Sequence, residues 1–218
     1  MYIAIIDDDE QVNPDFASQY ADFFDSHTDA AAAGGKIEPC YEYETPRWLS
    51  SILERPLAAK IDLGDDIKPF KRGKYPVGGN MCFRSSVFDS VGVFNPELGR
   101  TGKKLLGGEE KDLFRRIAST GGMIYWVPGP MVRHLIPEQR LTRSYLTELS
   151  RMIGVSERLR TLSVSKGKYA ARLFSEVIKW GGTAVIALAY LLKLQPSKGG
   201  YLFIFRWNVT KGLLTGNK

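Results

Sequence analysis

Tyr2-Ile3-Ala4-Ile5-Ile6-Asp7-Asp8-Asp9, followed shortly by Asn13-Pro14-Asp15, is the stretch on which the reading of this chain turns. The apolar run 2–6 has the length and composition of a strand, and three consecutive carboxylates end it. Asn13-Pro14-Asp15 then reads as a helix start: Asn13 caps, Pro14 occupies the first turn and Asp15 complements the dipole. Phe16, Tyr20, Phe23 and Phe24 follow at helical spacing. The triplet therefore stands between a strand's C-terminal end and a helix, where open α/β sheets place their ligands.

Outward from this unit the alternation continues. Ala30–Glu38 reads as a strand interrupted at Gly34-Gly35, and 46–54 as a short helix. Residues 62–77 read as a loop, and Gly78-Gly79-Asn80 as a tight approach into a strand through Phe83. Ser86 and Asp89 have capping-box spacing, and residues 94–106 form a second loop. Gly107-Gly108 precede a helix opening with Glu109-Glu110, with Leu113, Phe114 and Ile117 inward, Arg115 and Arg116 outward, and Gly121-Gly122 closing it. Met123–Val127 reads as a strand stopped by Pro128, and Met131–Leu135 as a further extended piece carrying His134. Three helices are expected from there, over 141–162, 167–194 and 198–214. The pattern predicts an α/β portion over 1–138 and a basic, amphipathic helical region over 139–218.

Composition sets outer limits. With 218 residues, 44% hydrophobic and 11% aromatic, the chain is neither disordered, collagen-like nor a disulfide miniprotein. Two cysteines fit a reducing compartment, and the acidic N-terminus is not a signal peptide. The net charge of +6 hides a split: residues 1–70 hold 15 acids and 5 bases, whereas 139–218 hold 3 acids and 14 bases. No nucleic-acid-binding motif accompanies the basic residues, so nucleic acid is not an expected partner.

Three groups of residues can carry chemistry. Asp7, Asp8 and Asp9 repel one another unless neutralised, and Mg²⁺ or Mn²⁺ suits such oxygens; the alternative is a solvated acidic turn. With strand-like alternation Asp7 and Asp9 point one way and Asp8 the other. Glu109 and Glu110 behind a flexible Gly pair form either a stabilised helix start or a general base with room for substrate. His134 is either a hydrogen-bonded structural histidine or a third metal ligand.

Taken in order, strand-DDD-NP-helix, GGN-x-x-FR, VG-x-FN, GGEEKDLFRR and YWVP-x-x-x-V-x-H resemble the C-terminal part of a family 2 glycosyltransferase with the A-type fold, over residues 2–136. The resemblance implies a partial A-type mixed sheet flanked by helices and an inverting, metal-dependent transfer from a nucleotide-sugar to a glycan or lipid-linked acceptor, in polysaccharide or cell-envelope glycan synthesis. By it Asp7, Asp8 and Asp9 meet the donor diphosphate, and Asp7, Asp9 and His134 hold Mn²⁺ or Mg²⁺. Gly79, Asn80 and Arg84 line the sugar and acceptor side, and Trp126 is either a pocket aromatic there or sheet core. Glu110 is the base, with Glu109 beside it; Glu110 stands where the family usually has Asp. The family's usual N-terminal nucleotide-binding portion has no counterpart here, so a preceding segment or partner chain is expected to complete the fold. A non-catalytic, membrane-associated or regulatory relative is the competing reading.

In the tail, 180–192 is an uncharged run of 13 residues flanked by Lys179 and Lys193. A span needs about 20. Trp180, Tyr190, Tyr201 and Trp207 among lysines and arginines suit helices lying in the interface of an anionic membrane; the alternative is helices that cap the catalytic portion, with the basic residues as a solvated face. The expected location is cytoplasmic, peripheral on the inner membrane face.

Overall fold

The computed structural model describes residues 1–96, 98 and 108–216. Two compact units emerge, one from 1–42, 54–96 and 109–136, the other chiefly from 43–53 and 137–216. The helical region thus begins at 137, and residues 43–53 group with it.

The first unit is a mixed sheet flanked by helices. Its strands are β1 (Tyr2–Ile5), β2 (Glu10–Val12), β3 (Ala30–Tyr41), β4 (Lys68–Pro69), β5 (Met81–Arg84) and β6 (Met123–Ile136). The order is β1-β5-β3-β6-β2, with β4 also on β6. β5 is antiparallel to both β1 and β3, and β6 is parallel to β3, so β1, β3 and β6 point the same way. Alternation along the strands feeds two cores. Ala33 and Cys82 join Phe16, Tyr20, Phe23, Phe24 and Trp126, while Ala32, Met81 and Phe83 join Leu113, Phe114 and Ile117.

Helix α1 (Phe16–Ser26) buries the four aromatics predicted for its inner face. Burying one such ring fully, as for Phe24, is worth about 2–3 kcal/mol. Its start differs from expectation. Asp15 holds the cap position without a side-chain cap bond. Asn13 instead turns to β6, accepting from the Met131 N–H at 2.9 Å and donating to the Gly129 carbonyl at 3.4 Å. Helix α2 lies at Ser51–Ala58 rather than 46–54 and carries Pro56 inside it. Helices α3 (Ser86–Val91) and α4 (Glu109–Ser119) follow. Ser86 is not the α3 cap; Ser85 holds that place and makes no side-chain cap bond. Much of the 94–106 loop, and Gly107, lie outside the described residues.

Gly34-Gly35 does not interrupt β3, and Pro128 does not end β6. Their ladder skips instead: Gly34 faces Trp126, and Lys36 already faces Met131. Residues 127–130 loop out, since Pro128 and Pro130 have no N–H to contribute. Asn80 closes the gap. Fully buried, it donates to the Lys36 and Pro130 carbonyls, both at 2.9 Å, and accepts from the Tyr20 hydroxyl at 2.6 Å. A Cβ on Gly35 would fall 2.0 Å from the Pro130 oxygen and 2.5 Å from Asn80 Nδ2, so only glycine admits this arrangement.

The second unit is built on α5 (Arg143–Val164), α6 (Lys166–Leu192) and α7 (Pro196–Thr215). Thr142 and Ser165 cap α5 and α6, accepting from the Tyr145 and Lys168 N–H groups. Gly154 and Gly212 bring α5 and α7 into backbone contact: a Cβ on Gly212 would lie 2.0 Å from the Arg151 oxygen. Trp48 stacks on Tyr201 at 4.4 Å. Buried Glu176 pairs with Arg172 at 2.6 Å and Arg206 at 3.0 Å. The other side of α6 exposes Phe174, Val177, Ile178, Val185, Leu188 and Leu192. At 27 residues, α6 is long and apolar enough to cross a membrane; the sequence reading counted only its 13-residue uncharged core.

Candidate functional site

The acidic triplet does not run on as a strand. After β1 the chain turns at Asp8-Asp9 and returns as β2, so the expected alternation of Asp7 and Asp9 does not apply. β2 is too short to hold by its own side chains; it is fixed by pairing with β6, Glu10 opposite His134, and by the Leu135 N–H donating to the Asp9 carbonyl at 2.9 Å. This turn brings the Asp9 carboxylate to 3.4 Å from His134 Nε2. His134 is buried, with Nδ1 at 2.9 Å from the Ala58 carbonyl. A carbonyl only accepts, so Nδ1 carries the proton of that bond. Nε2 then faces a carboxylate, an arrangement that suits a proton or a cation.

Beside this pair lies the Gly78-Gly79 backbone, with a carboxylate against each glycine. A Cβ on Gly78 would come 2.3 Å from Oε1 of Glu110, and one on Gly79 would come 2.2 Å from Oε1 of Glu10. Gly79 also has φ +96°, a left-handed conformation that glycine takes without strain. Glu10 is held by its own turn, accepting from the Asp7 N–H at 3.1 Å. Glu110 opens α4 with Glu109, as predicted. Burial holds its carboxyl above the ordinary glutamate range, and the charges of Glu109 and Asp7 add to the shift. Glu109 buries Oε2 without a hydrogen-bond partner among the described residues.

The structure thus gathers Asp7, Asp9, Glu109, Glu110, Gly79 and His134 at one end of the sheet; Asp8 is exposed on the turn. It does not gather Asp7 with Asp9 and His134 into a cage: among the described residues no three His, Cys, Asp or Glu side chains are placed to hold a metal ion. Asp9 and His134 fit as two donors. Of the other expected residues, Asn80 is the ladder-closing amide described above. Arg84 donates to the Ala30, Phe24 and His27 carbonyls and lies over the Tyr2 and Phe24 rings. It ends β5, the strand that Gly78-Gly79-Asn80 leads into, so β5 separates it from Gly79. Trp126 is fully buried and donates to the Gly64 carbonyl at 2.8 Å.

Glu10 was missed as a site residue. The only signal for it was its place as fourth acid after Asp7-Asp8-Asp9. Its approach to Gly79 depends on the turn, which the sequence pattern did not show.

The comparisons with known proteins bear on this arrangement. A glucosyl-dolichyl phosphate glucuronosyltransferase of Haloferax volcanii is 29% identical over 168 residues, covering 73% of this chain and 51% of that protein. The chain therefore spans about half the length of that relative. A solved structure of GalNAc-T7 with UDP, GalNAc and Mn²⁺ aligns with 71% of this chain and 31% of its own, at 14% identity and a TM-score of 0.39, too distant to say more. The family model described as glycosyl transferase family group 2 matches residues 2–210, which takes in the sheet, its carboxylates and most of the helical region. The chain belongs to glycosyl transferase family group 2.

Proposed function

We propose that this chain is the catalytic part of an inverting glycosyltransferase, moving a sugar from a nucleotide-sugar to a hydroxyl of a glycan or lipid-linked acceptor in glycan or polysaccharide assembly. The observation that carries this reading is the bare Gly78-Gly79 backbone between the carboxylates of Glu110 and Glu10. The two missing side chains let both carboxylates lie directly against this backbone, where Glu110 is seated as a base. Glu110, held above the ordinary range, is a stronger base than a solvated carboxylate. It takes the proton of the acceptor hydroxyl. That oxygen forms a bond to the anomeric carbon as the bond to the diphosphate oxygen breaks, and the nucleoside diphosphate leaves with the bonding pair. Asp9 and His134 would hold a divalent cation, Mn²⁺ or Mg²⁺, whose charge would offset that of the leaving group.

A lipid-linked acceptor is supported by the exposed apolar side of α6 and by the dolichyl phosphate in the relative's name. In this reading the helical unit lies in the interface of the cytoplasmic membrane face. Arg172, Glu176 and Lys179 interrupt the apolar run, which favours lying in the interface over spanning.

The test is transfer of labelled sugar from a panel of UDP-, GDP- and dTDP-sugars to lipid-phosphate acceptors, using the full-length protein in membranes. One donor is expected to support transfer, and Asp9→Ala and Glu110→Gln each to abolish it. Full activity in either variant overturns that residue's role, and wild-type protein inert toward every donor overturns the reaction class.

A further inference from the structure

The opposite end of the same sheet carries the reverse charge. There the chain makes a tight turn, Lys71-Arg72-Gly73-Lys74, closed by the Lys74 N–H donating to the Lys71 carbonyl at 2.8 Å and permitted by φ +76° at Gly73. The turn is pinned on both sides. The Phe70 N–H donates to the Ile124 carbonyl at 2.8 Å, near the start of β6, and the Tyr75 ring stacks on Phe114 at 5.8 Å. Three cations thus occupy four positions on a loop whose flanks are fixed.

Between this turn, the last turn of α4 and the first residues of β6 lies a cleft of about 560 Å³. Arg115 adds a fourth cation to its lining, the rings of Phe70 and Tyr75 add an apolar wall, and no carboxylate lines it. Asp112, the nearest acid on α4, is engaged by Arg115 and Arg116, both at 2.9 Å. Lys71, Arg72 and Lys74 have no ion-pair partner among the described residues. The contrast with the surrounding sequence is sharp, since residues 1–70 hold only 5 bases against 15 acids. Like charges held this close repel one another, and an anion in the cleft relieves the repulsion.

We propose that this cleft binds a phosphate-ester anion, at a site separate from the Gly78-Gly79 carboxylates. Its volume falls within the range of small-molecule sites, about 300–1,000 Å³. Basic forks and ammonium groups recognise phosphate oxygens, while the Phe70 and Tyr75 wall accommodates the ring or chain that the phosphate carries. The phosphate is either that of a soluble phosphorylated metabolite or that of a phospholipid headgroup.

The experiment is calorimetric titration of the full chain with inorganic pyrophosphate in EDTA at low salt. Without a divalent cation the carboxylate site repels the probe, so the signal belongs to the basic cleft. Saturable one-to-one binding is expected. It should weaken at least about tenfold in the triple variant Lys71→Gln/Arg72→Gln/Lys74→Gln, survive in Lys71→Arg/Lys74→Arg and in Asp9→Ala, and fall as salt screens the charges. Circular dichroism melts of each variant confirm that the chain still folds. In a second arm, flotation with phosphatidylglycerol vesicles that is lost in the triple variant and competed by pyrophosphate identifies a lipid headgroup as the source. Pyrophosphate binding with flotation indifferent to the triple variant identifies a soluble ligand. No saturable binding by folded wild type, or equal binding by the triple variant, overturns the proposal.

Discussion

Replacing Gly78 with alanine puts a methyl carbon 2.3 Å from Oε1 of Glu110. Ordinary contact begins near 3.4 Å, so something must move by about 1.1 Å. The listener to that clash is the end of a flexible side chain, not backbone, and the carboxylate gives way. Gly78 is not in the left-handed region, so alanine adds no strain there, and its narrower unfolded ensemble offsets part of any cost, by about 0.4–1 kcal/mol. The fold is therefore expected to keep its stability to within about 1 kcal/mol while the base loses its place. A misplacement of about 1 Å in a catalytic group costs on the order of 100-fold in rate, equivalent to roughly 2.7 kcal/mol of barrier. The assay is the initial rate of sugar transfer at saturating donor and acceptor, beside a thermal melt. A wild-type rate in a folded Gly78→Ala protein would refute the placement of Glu110 as base. A rate lost together with the melting transition would refute the claim that the glycine serves the site and not the fold.

Gly79→Ala should be worse on both counts, because φ +96° adds about 1–2 kcal/mol of left-handed strain to the clash with Glu10. Asn80→Ala removes the one amide that serves these three partners and should cost about 3 kcal/mol in urea denaturation, with Tyr20→Phe, which removes a single bond, costing about 1. Because Glu110 is raised, transfer should increase as pH rises through its folded pKa, while stability, fully present below the ordinary glutamate pKa, should fall over the window from that value up through the folded one. Glu110→Gln should then melt higher than wild type above that window and equal to it below, while remaining inactive at every pH. In the helical unit, Gly212→Ala meets the Arg151 carbonyl, which cannot swing aside, and should cost about 3 kcal/mol. Gly182→Ala, with nothing within 4 Å, should stabilise by about 1 kcal/mol. Chemical denaturation of the two variants separates these signs.

Where the chain's own pattern dominated, the sequence was readable. Phe16, Tyr20, Phe23 and Phe24 marked the inner face of α1, Leu113, Phe114 and Ile117 that of α4, and the three long helices fell within a few residues of their bounds. Glu109 and Glu110 do open α4. What was not readable depends on partners distant in sequence. β2 has three residues and one apolar side chain, and it exists because β6 offers a ladder more than a hundred positions away. Asn13 looked like a cap and became a clamp on the β6 loop-out for the same reason. Pro128 signalled a strand end, correctly as a local preference; the rescue by Asn80 is a tertiary contact that no local pattern carries. Glu10 and the Asp9–His134 pair follow from the turn at Asp8-Asp9, so the acids were visible while their mutual placement was not.

The Asn80 amide also has a kinetic consequence. Its three bonds tie α1, β3 and β6 where the β3–β6 ladder skips between Gly34 and Lys36. Ladder segments on either side of the loop-out cannot open independently while that amide is seated. Amide protons of β3 and β6 above and below the gap should therefore exchange with deuterium as a single cooperative block, at one opening free energy. With alanine at 80 the block should divide at the prolines, and the segment bearing His134 should exchange ahead of the segment bearing Trp126.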